Sequence, residues 1–171
     1  MVLPATPASA RRLIYSYDSE DPVTEQMTEN GLTFVFDKSF MATRVLKIME
    51  TQDVGEAEVK LASEHDLGGS LRDLAGDASR GHELYEITKA GNGAALVQAL
   101  CPGAERGFLA IGALKPAREL TVYALGRVQN RVWLCVTLAY GFHGAWALPV
   151  ALPPQPDRTD RFNDAPANRQ Y

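Results

Sequence analysis

Four apolar runs between residues 106 and 151 constrain the fold of this chain more than any other feature. They span residues 107–114, 119–125, 132–140 and 145–151, and turn residues separate them. Short apolar runs bounded by turn signals are typical of buried strands. The run 132–140 (VWLCVTLAY) lacks polar alternation, so we predict that it lies in the middle of a sheet with both faces covered.

Shorter elements are predicted in the first 100 residues. Apolar or alternating patterns indicate strands at residues 12–17, 32–36, 57–61 and 84–88. Asp21 and Pro22 are typical of a helix start, and Gly31 of the position after its end, so a helix is predicted over 22–29. A second short helix is predicted at 94–100, and one helical turn at 71–75.

The segment 39–52 fits two patterns. A helix would place Met41, Val45, Ile48 and Met49 on one stripe, whereas a strand would put Thr43 and Lys47 on the face of Val45. The helix fits better. The chain is therefore predicted to be an α+β, β-rich single domain, with a mostly antiparallel sheet concentrated in residues 106–151 and two to four short helices in the first 100 residues.

Length and composition set the domain organisation. A chain of 171 residues with 46% apolar and 22% charged residues fits one globular domain. We assign residues 11–151 to this domain, residues 1–10 to a flexible arm, and residues 152–171 to an extended, proline-containing tail. The sequence shows neither a signal-peptide core nor an apolar run long enough to span a membrane. Cytoplasmic location without membrane contact is the expectation.

The net charge of −4 is distributed unevenly. Residues 1–90 carry nine Lys or Arg and sixteen Asp or Glu (−7), whereas residues 91–171 carry eight and five (+3). The acidic first half argues against a chain that binds nucleic acid throughout. The second half leaves room for an anion-binding rim of basic residues beside predicted strands, namely Arg106, Lys115, Arg118, Arg127 and Arg131.

The two cysteines, Cys101 and Cys135, lie in apolar surroundings. Buried thiols there behave as small hydrophobic side chains. A single disulfide between them is the alternative if the compartment is oxidising. Cys101 follows the predicted end of a helix, where the helix dipole disfavours a thiolate, so it is a poor nucleophile candidate.

Catalytic candidates are confined to the loop-like stretch 63–83. The residue types could supply a general base or metal ligands, but their spacing matches no metal motif. They are His65, His82, Glu64, Asp66 and Glu83. The third histidine, His143, lies in a Gly-Phe-His-Gly segment at 141–144 that is typical of a turn. No cofactor fingerprint is present, since Gly-Asn-Gly at 91–93 is an ordinary turn signal.

The leading functional hypothesis is a non-enzymatic protein-binding or assembly subunit that uses its sheet edge and terminal arms. Open sheet edges accept partner strands, and exposed aromatic residues such as Phe142 and Trp146 are typical of partner surfaces. Two alternatives stay open: a small enzyme or metal-binding protein that uses the 63–83 loop, and an anion-binding module that uses the basic rim. A protein partner or self-association is expected, and a nucleic acid is not.

Overall fold

The chain folds into strands in series, with short helices in the connections. The structure, a computed structural model, describes residues 11–40, 42–50 and 56–147. The elements are β1 (Arg11–Ser19), α1 (Pro22–Thr28), β2 (Gly31–Lys38), β3 (Thr43–Glu50), β4 (Ala57–Leu61), α2 (Glu64–Leu67), α3 (Leu71–Ala75), a 3-10 turn (Asp77–Ser79), β5 (Glu83–Gly91), α4 (Gly93–Leu100), β6 (Arg106–Ile111), β7 (Leu120–Val128) and β8 (Arg131–Ala147). The predicted arm at 1–10 and tail at 152–171 lie outside the described residues.

The eight strands close into an antiparallel barrel in chain order. Each strand pairs with the next, and β8 returns to pair with β1. Closure depends on the length of β8, because residues 131–140 pair with β7 while residues 140–147 pair with β1. The predicted mostly antiparallel, β-rich fold with a few short helices is confirmed, and the barrel is a more specific result.

Alternating side chains fill the barrel interior, as expected for a barrel of only eight strands. Aromatic rings from β1 and β2 meet edge to face: the centroids of Tyr15 and Phe36 lie 4.8 Å apart, and those of Tyr17 and Phe34 lie 5.7 Å apart. All four side chains are buried. Such pairs add to the stability gained from burying the ring area itself.

A second apolar layer lies outside the barrel, where α2 and α3 cover β6 and β7. Leu67 and Leu71 pack with Phe108 and Leu125 in this layer. Strands β6 and β7 are therefore the ones covered on both faces. In the run 132–140 only Leu138 and Tyr140 are fully buried. The prediction that this run is covered on both faces is wrong, because the two helices do not extend across the whole outer face of β8.

Helices α1 and α4 close one end of the barrel. The α4 residues Leu96, Val97 and Leu100 join the interior core, and Val97 lies so close to Gly107 that a Cβ there would collide with it. A disulfide ties Cys101, just after α4, to Cys135 of β8, with their Cα atoms 5.3 Å apart. The disulfide that the sequence allowed as an alternative is present, so Cys101 and Cys135 are not free thiols.

Helix α1 attaches to β8 through two buried threonines. The backbone N–H of Ala139 donates to Thr24 Oγ1 at 2.9 Å, and the hydroxyls of Thr28 and Tyr140 lie 3.1 Å apart. Asp21 caps the helix by accepting from the backbone N–H of Thr24 at 2.7 Å. The predicted helix at 22–29 is thus confirmed to within one residue.

The predicted helix at 39–52 is wrong, because residues 43–50 form strand β3. A β-bulge at Leu46 explains the error: Val35 pairs with Lys47 while Phe36 pairs with Val45. The extra residue turns both Val45 and Ile48 toward the interior, where they are buried. A bulged strand therefore reproduces the three-residue spacing that is typical of a helix.

Two further expectations about the sheet are wrong. The sheet is not concentrated in residues 106–151, since β1 to β5 all end by residue 91 and belong to the same barrel. Residues 141–144 form no turn, because β8 runs through them to pair with β1. At Gly141 a Cβ would meet the carboxylate end of the Glu20 side chain, which is flexible enough to move aside, so neither a turn nor a close approach requires a glycine there.

Candidate functional site

The barrel has a cavity of about 400 Å³ at the end opposite α4, which we call the mouth. It lies among the β2–β3 connection, the β6–β7 connection and the start of β5. Its apolar wall includes Val45, Ile111 and Leu114, all of which are buried. This volume lies within the range of small-molecule sites, roughly 300–1,000 Å³.

Incomplete pairing between β3 and β4 opens the barrel wall at the mouth. The two strands pair only at Lys47 with Glu58 and at Ile48 with Ala57. Nearer the mouth, residues 43–46 of β3 do not pair with residues 59–61 of β4, and we call this unpaired stretch the seam. The seam therefore lies beside the cavity, because Thr43 and Val45 belong to both.

Tyr85 fills part of this seam and supplies the missing backbone partner. Its hydroxyl accepts a hydrogen bond from the backbone N–H of Val45 at 3.2 Å and donates to Glu83 Oε2 at 2.8 Å. Burial raises the pKa of Tyr85 to about 12, and the neighbouring Glu83 carboxylate acts in the same direction. The phenol is therefore protonated at neutral pH, and it donates its hydrogen bond to Glu83.

Tyr17 places a second phenol inside the barrel, and its hydroxyl is unsatisfied. The side chain is 2% exposed, and the oxygen has no hydrogen-bond partner among the described residues. Burial raises its pKa to about 12, with Tyr15 acting the same way. The backbone of Lys115, a cavity residue, is near enough to lower the pKa of Tyr17 slightly, but it does not reach hydrogen-bonding geometry. Buried polar groups without partners are rare and costly.

Two lysines bring positive charge to the mouth. Lys38 ends β2, and Lys115 lies in the β6–β7 connection, so they approach the cavity from different connections. Neither ammonium forms an ion pair within residues 11–40, 42–50 and 56–147. The acidic residue of the cavity, Glu83, is already engaged by Tyr85.

The candidate catalytic residues of the 63–83 loop do not form one site. His82 and Glu64 line a separate recess of about 230 Å³ that His65 does not line. The Nε2 atom of His82 lies 3.1 Å from the carbonyl oxygen of Thr121, and Glu64 accepts from the backbone N–H of Leu71 at 2.7 Å. These two side chains therefore have structural partners.

The other members of that group lie elsewhere. Asp66 caps α2 by accepting from the backbone N–H of Ser63, and this bond is the main reason that the pKa of Asp66 is lowered. Glu83 lies at the mouth, and His143 pairs with Asp18 on the surface, with Nδ1 2.9 Å from Oδ2. Within the described part of the chain, no three His, Cys, Asp or Glu residues are grouped so as to hold a metal ion.

The five basic residues of the predicted rim lie at two ends of the barrel. Arg106 forms two hydrogen bonds with Glu86, at 2.8 and 3.0 Å. Arg127 donates to the backbone carbonyl of Asp66, and Arg131 lies over the ring of Trp133. These three lie toward α4, whereas Lys115 and Arg118 lie in the β6–β7 connection at the mouth.

The two predicted partner-binding aromatics differ in exposure. Phe142 packs edge to face against Tyr15 and Tyr17, with centroids 5.5 and 5.6 Å away, so its ring belongs to the core. Trp146 is 58% exposed, and Phe40, at the edge of the mouth cavity, is 97% exposed. Partner binding by these residues stays a prediction.

A larger cavity, of about 570 Å³, lies beside α4 and β5. Its central charged groups already pair with each other, since Glu86 contacts both Arg106 and Lys60. The pKa of Glu86 is lowered mainly by the hydrogen bonds from Arg106. This arrangement is a satisfied surface ion-pair network, so the mouth is the better candidate site.

Sequence reasoning missed two residues that line the mouth, Tyr85 and Lys38, and also the buried hydroxyl of Tyr17 in the core. A partial signal exists, because the alternating aromatics of residues 15–17 and 34–36 predict two strands that share an aromatic face. No protein-family model matches the chain, and neither does any curated protein or solved structure. None of the helices in the described residues has the length and apolar character needed to cross a membrane.

Proposed function

We propose that this protein binds a small molecule in the mouth of its barrel. The observation that carries the proposal is the cavity itself, which has a volume of about 400 Å³ and sets the apolar side chains of Val45, Ile111 and Leu114 beside the charged groups of Lys38, Lys115 and Glu83. A ligand with an apolar and a polar portion would fit this lining. An eight-stranded barrel can hold one small ligand where side chains leave space, and here the space lies at the mouth and not in the filled interior.

The lining supports binding more than catalysis. Apolar and polar groups share the cavity lining in nearly equal parts, and this composition suits a ligand that has both an apolar and a polar portion. The Tyr85 phenol is held by Glu83 and Val45, and its raised pKa disfavours a role as a base at neutral pH. The residues predicted for catalysis in the 63–83 loop lie in separate places.

The test is a fluorescence titration with N-phenyl-1-naphthylamine, a neutral apolar probe whose emission rises in a dry cavity. We expect saturable binding, and Ala113→Trp should weaken it at least tenfold by filling the cavity that Ala113 lines. The matched control is Ala90→Trp, which adds the same side chain at the exposed end of β5. Absence of saturable binding, or equal binding by Ala113→Trp and Ala90→Trp, would contradict the proposal.

The seam between β3 and β4 supports a second function, binding of an extended peptide from a partner protein. Closure pairs every strand with its neighbours, but residues 43–46 and 59–61 do not pair across the seam, where the backbone N–H of Val45 donates to the Tyr85 hydroxyl instead. Strand addition at such an edge is a known recognition mode. Two measurements test this function: light scattering of the purified protein, and a pull-down of extended peptides in the absence of small-molecule ligand. Finding only monomers and no bound peptide would argue against protein association.

We also propose that the protein resides in an oxidising compartment, contrary to the expectation of a cytoplasmic location. The support is the Cys101–Cys135 disulfide, because such bridges persist in oxidising surroundings and are rare in the cytosol. Rapid alkylation of the protein in its own cells, followed by mass spectrometry, tests this. Recovery of two alkylated thiols in place of the bridge would refute it.

A further inference from the structure

We infer that the ligand of the mouth is a carboxylate with an apolar body, which Lys38 and Lys115 recognise together. This inference rests on the proposed small-molecule function and specifies the chemical class. The apolar part of such a ligand would contact Val45, Ile111 and Leu114, while its charged group would face the two ammonium groups.

The first argument is the charge balance inside the cavity. Among the described residues, its charged lining consists of Lys38, Lys115 and Glu83. The Glu83 carboxylate accepts the hydrogen bond of the Tyr85 phenol at 2.8 Å, whereas the lysines have no ion-pair partner in the described ranges. Within the part of the chain that the structure describes, the group that would balance the two lysines is therefore an anion. A carboxylate matches this need, since it accepts hydrogen bonds from both ammonium groups.

The second argument is the placement of like charges at the mouth. Lys38 stands directly opposite Arg11 in the β1–β2 ladder, and the next row contains Arg12, Asp37 and Arg44. Like charges directly opposite each other destabilise a strand pair. Asp37 compensates the second row, because Arg12 donates to it at 3.0 Å. In the described ranges the row of Lys38 and Arg11 has no such acidic partner, so a bound anion would relieve its repulsion.

The third argument is the contrast in charge between the cavity and the region around α1. Residues 13–37 contain no lysine or arginine, and five acids lie around α1, at Asp18, Glu20, Asp21, Glu25 and Glu29. The arginines of the opposite end, Arg106, Arg127 and Arg131, lie toward α4 instead. The lysines of the cavity therefore attract an anion more than the region around α1 does.

The test compares three probes that share one apolar body: 2-naphthoate, 2-naphthamide and 2-naphthylmethylamine, measured by calorimetry at low salt. We expect 2-naphthoate to bind at least about tenfold more tightly than the amide, because two partly exposed charge contacts supply a factor of this size. The preference should shrink as salt is added. Lys38→Met with Lys115→Met should abolish the preference while keeping the apolar stems. Lys89→Met, an exposed lysine at the other end, is the control.

The outcomes separate this inference from the proposed function. Equal binding of the acid and the amide, or tighter binding of the amine, overturns the carboxylate inference and leaves the cavity as a binding site. Failure of 2-naphthoate to bind also overturns it. In that case the titration with N-phenyl-1-naphthylamine shows independently whether the cavity binds a small molecule. Loss of the preference in Lys89→Met would indicate that the acid binds in the larger cavity beside α4, which Lys89 lines, and this likewise contradicts recognition by Lys38 and Lys115.

Discussion

Breaking the Cys101–Cys135 bridge should destabilise the fold by a predictable amount. The bridge closes a loop across a sequence separation of 34 residues. In the chain-entropy model, a loop of that length corresponds to about 3.8 kcal/mol of the free energy of unfolding at 25 °C. For a domain of this size, such a loss should lower Tm by roughly 8–15 °C. Since Cys101 follows α4 and Cys135 belongs to β8, the loss should loosen the α4 end first.

The assay compares the oxidised protein, the protein reduced with a phosphine, and the double variant Cys101→Ala with Cys135→Ala, each by urea and thermal unfolding. Reduced protein and double variant should lose similar stability, and amide exchange in α4 should accelerate. Affinity of the mouth for N-phenyl-1-naphthylamine should change less than threefold, because the cavity lies at the opposite end. A loss of less than about 1 kcal/mol would refute the loop-closure argument.

Four further perturbations have defined signs. Tyr17→Phe removes a buried unpaired hydroxyl and should raise the free energy of unfolding of the unliganded protein by about 1 kcal/mol in urea melts; a loss of stability would show that the hydroxyl is bonded. The pKa values of Tyr17 and Tyr85 are raised from 10.0 to about 12, so stability should be intact below pH 10 and fall as the pH rises through 12, as followed by phenolate absorbance. The pKa of Glu86 is lowered from 4.5, so its contribution should be lost as the pH falls below that value, and Glu86→Gln should flatten the acid limb of the pH–stability curve. Gly107→Ala should cost about 1–3 kcal/mol by collision with Val97, as measured by calorimetry.

The charge pattern predicted only part of the site. The basic second half of the sequence supplies Lys115 to the mouth. Its Arg106 and Arg127 stand opposite each other in the β6–β7 ladder, at the other end of these strands. Lys38 comes from the acidic half and was not predicted. Net charge along the sequence cannot show which charges share an end of a barrel, because antiparallel strands bring alternate connections to the same end.

The sequence by itself determined the local elements whose signals are local. Residues 57–61 alternate because β4 has one buried face, and Asp21 with Pro22 starts α1 through backbone geometry that neighbouring residues set. The tertiary structure decided everything that joins distant residues. Closure pairs Leu13 with Ala147, the bulge at Leu46 turned a helical spacing into a strand, and the disulfide joined two cysteines that looked like separate core residues. The periodicity of a strand reports that one face is buried but not which strand lies beside it, so the mouth, its two lysines and the unsatisfied Tyr17 emerge only when the barrel closes.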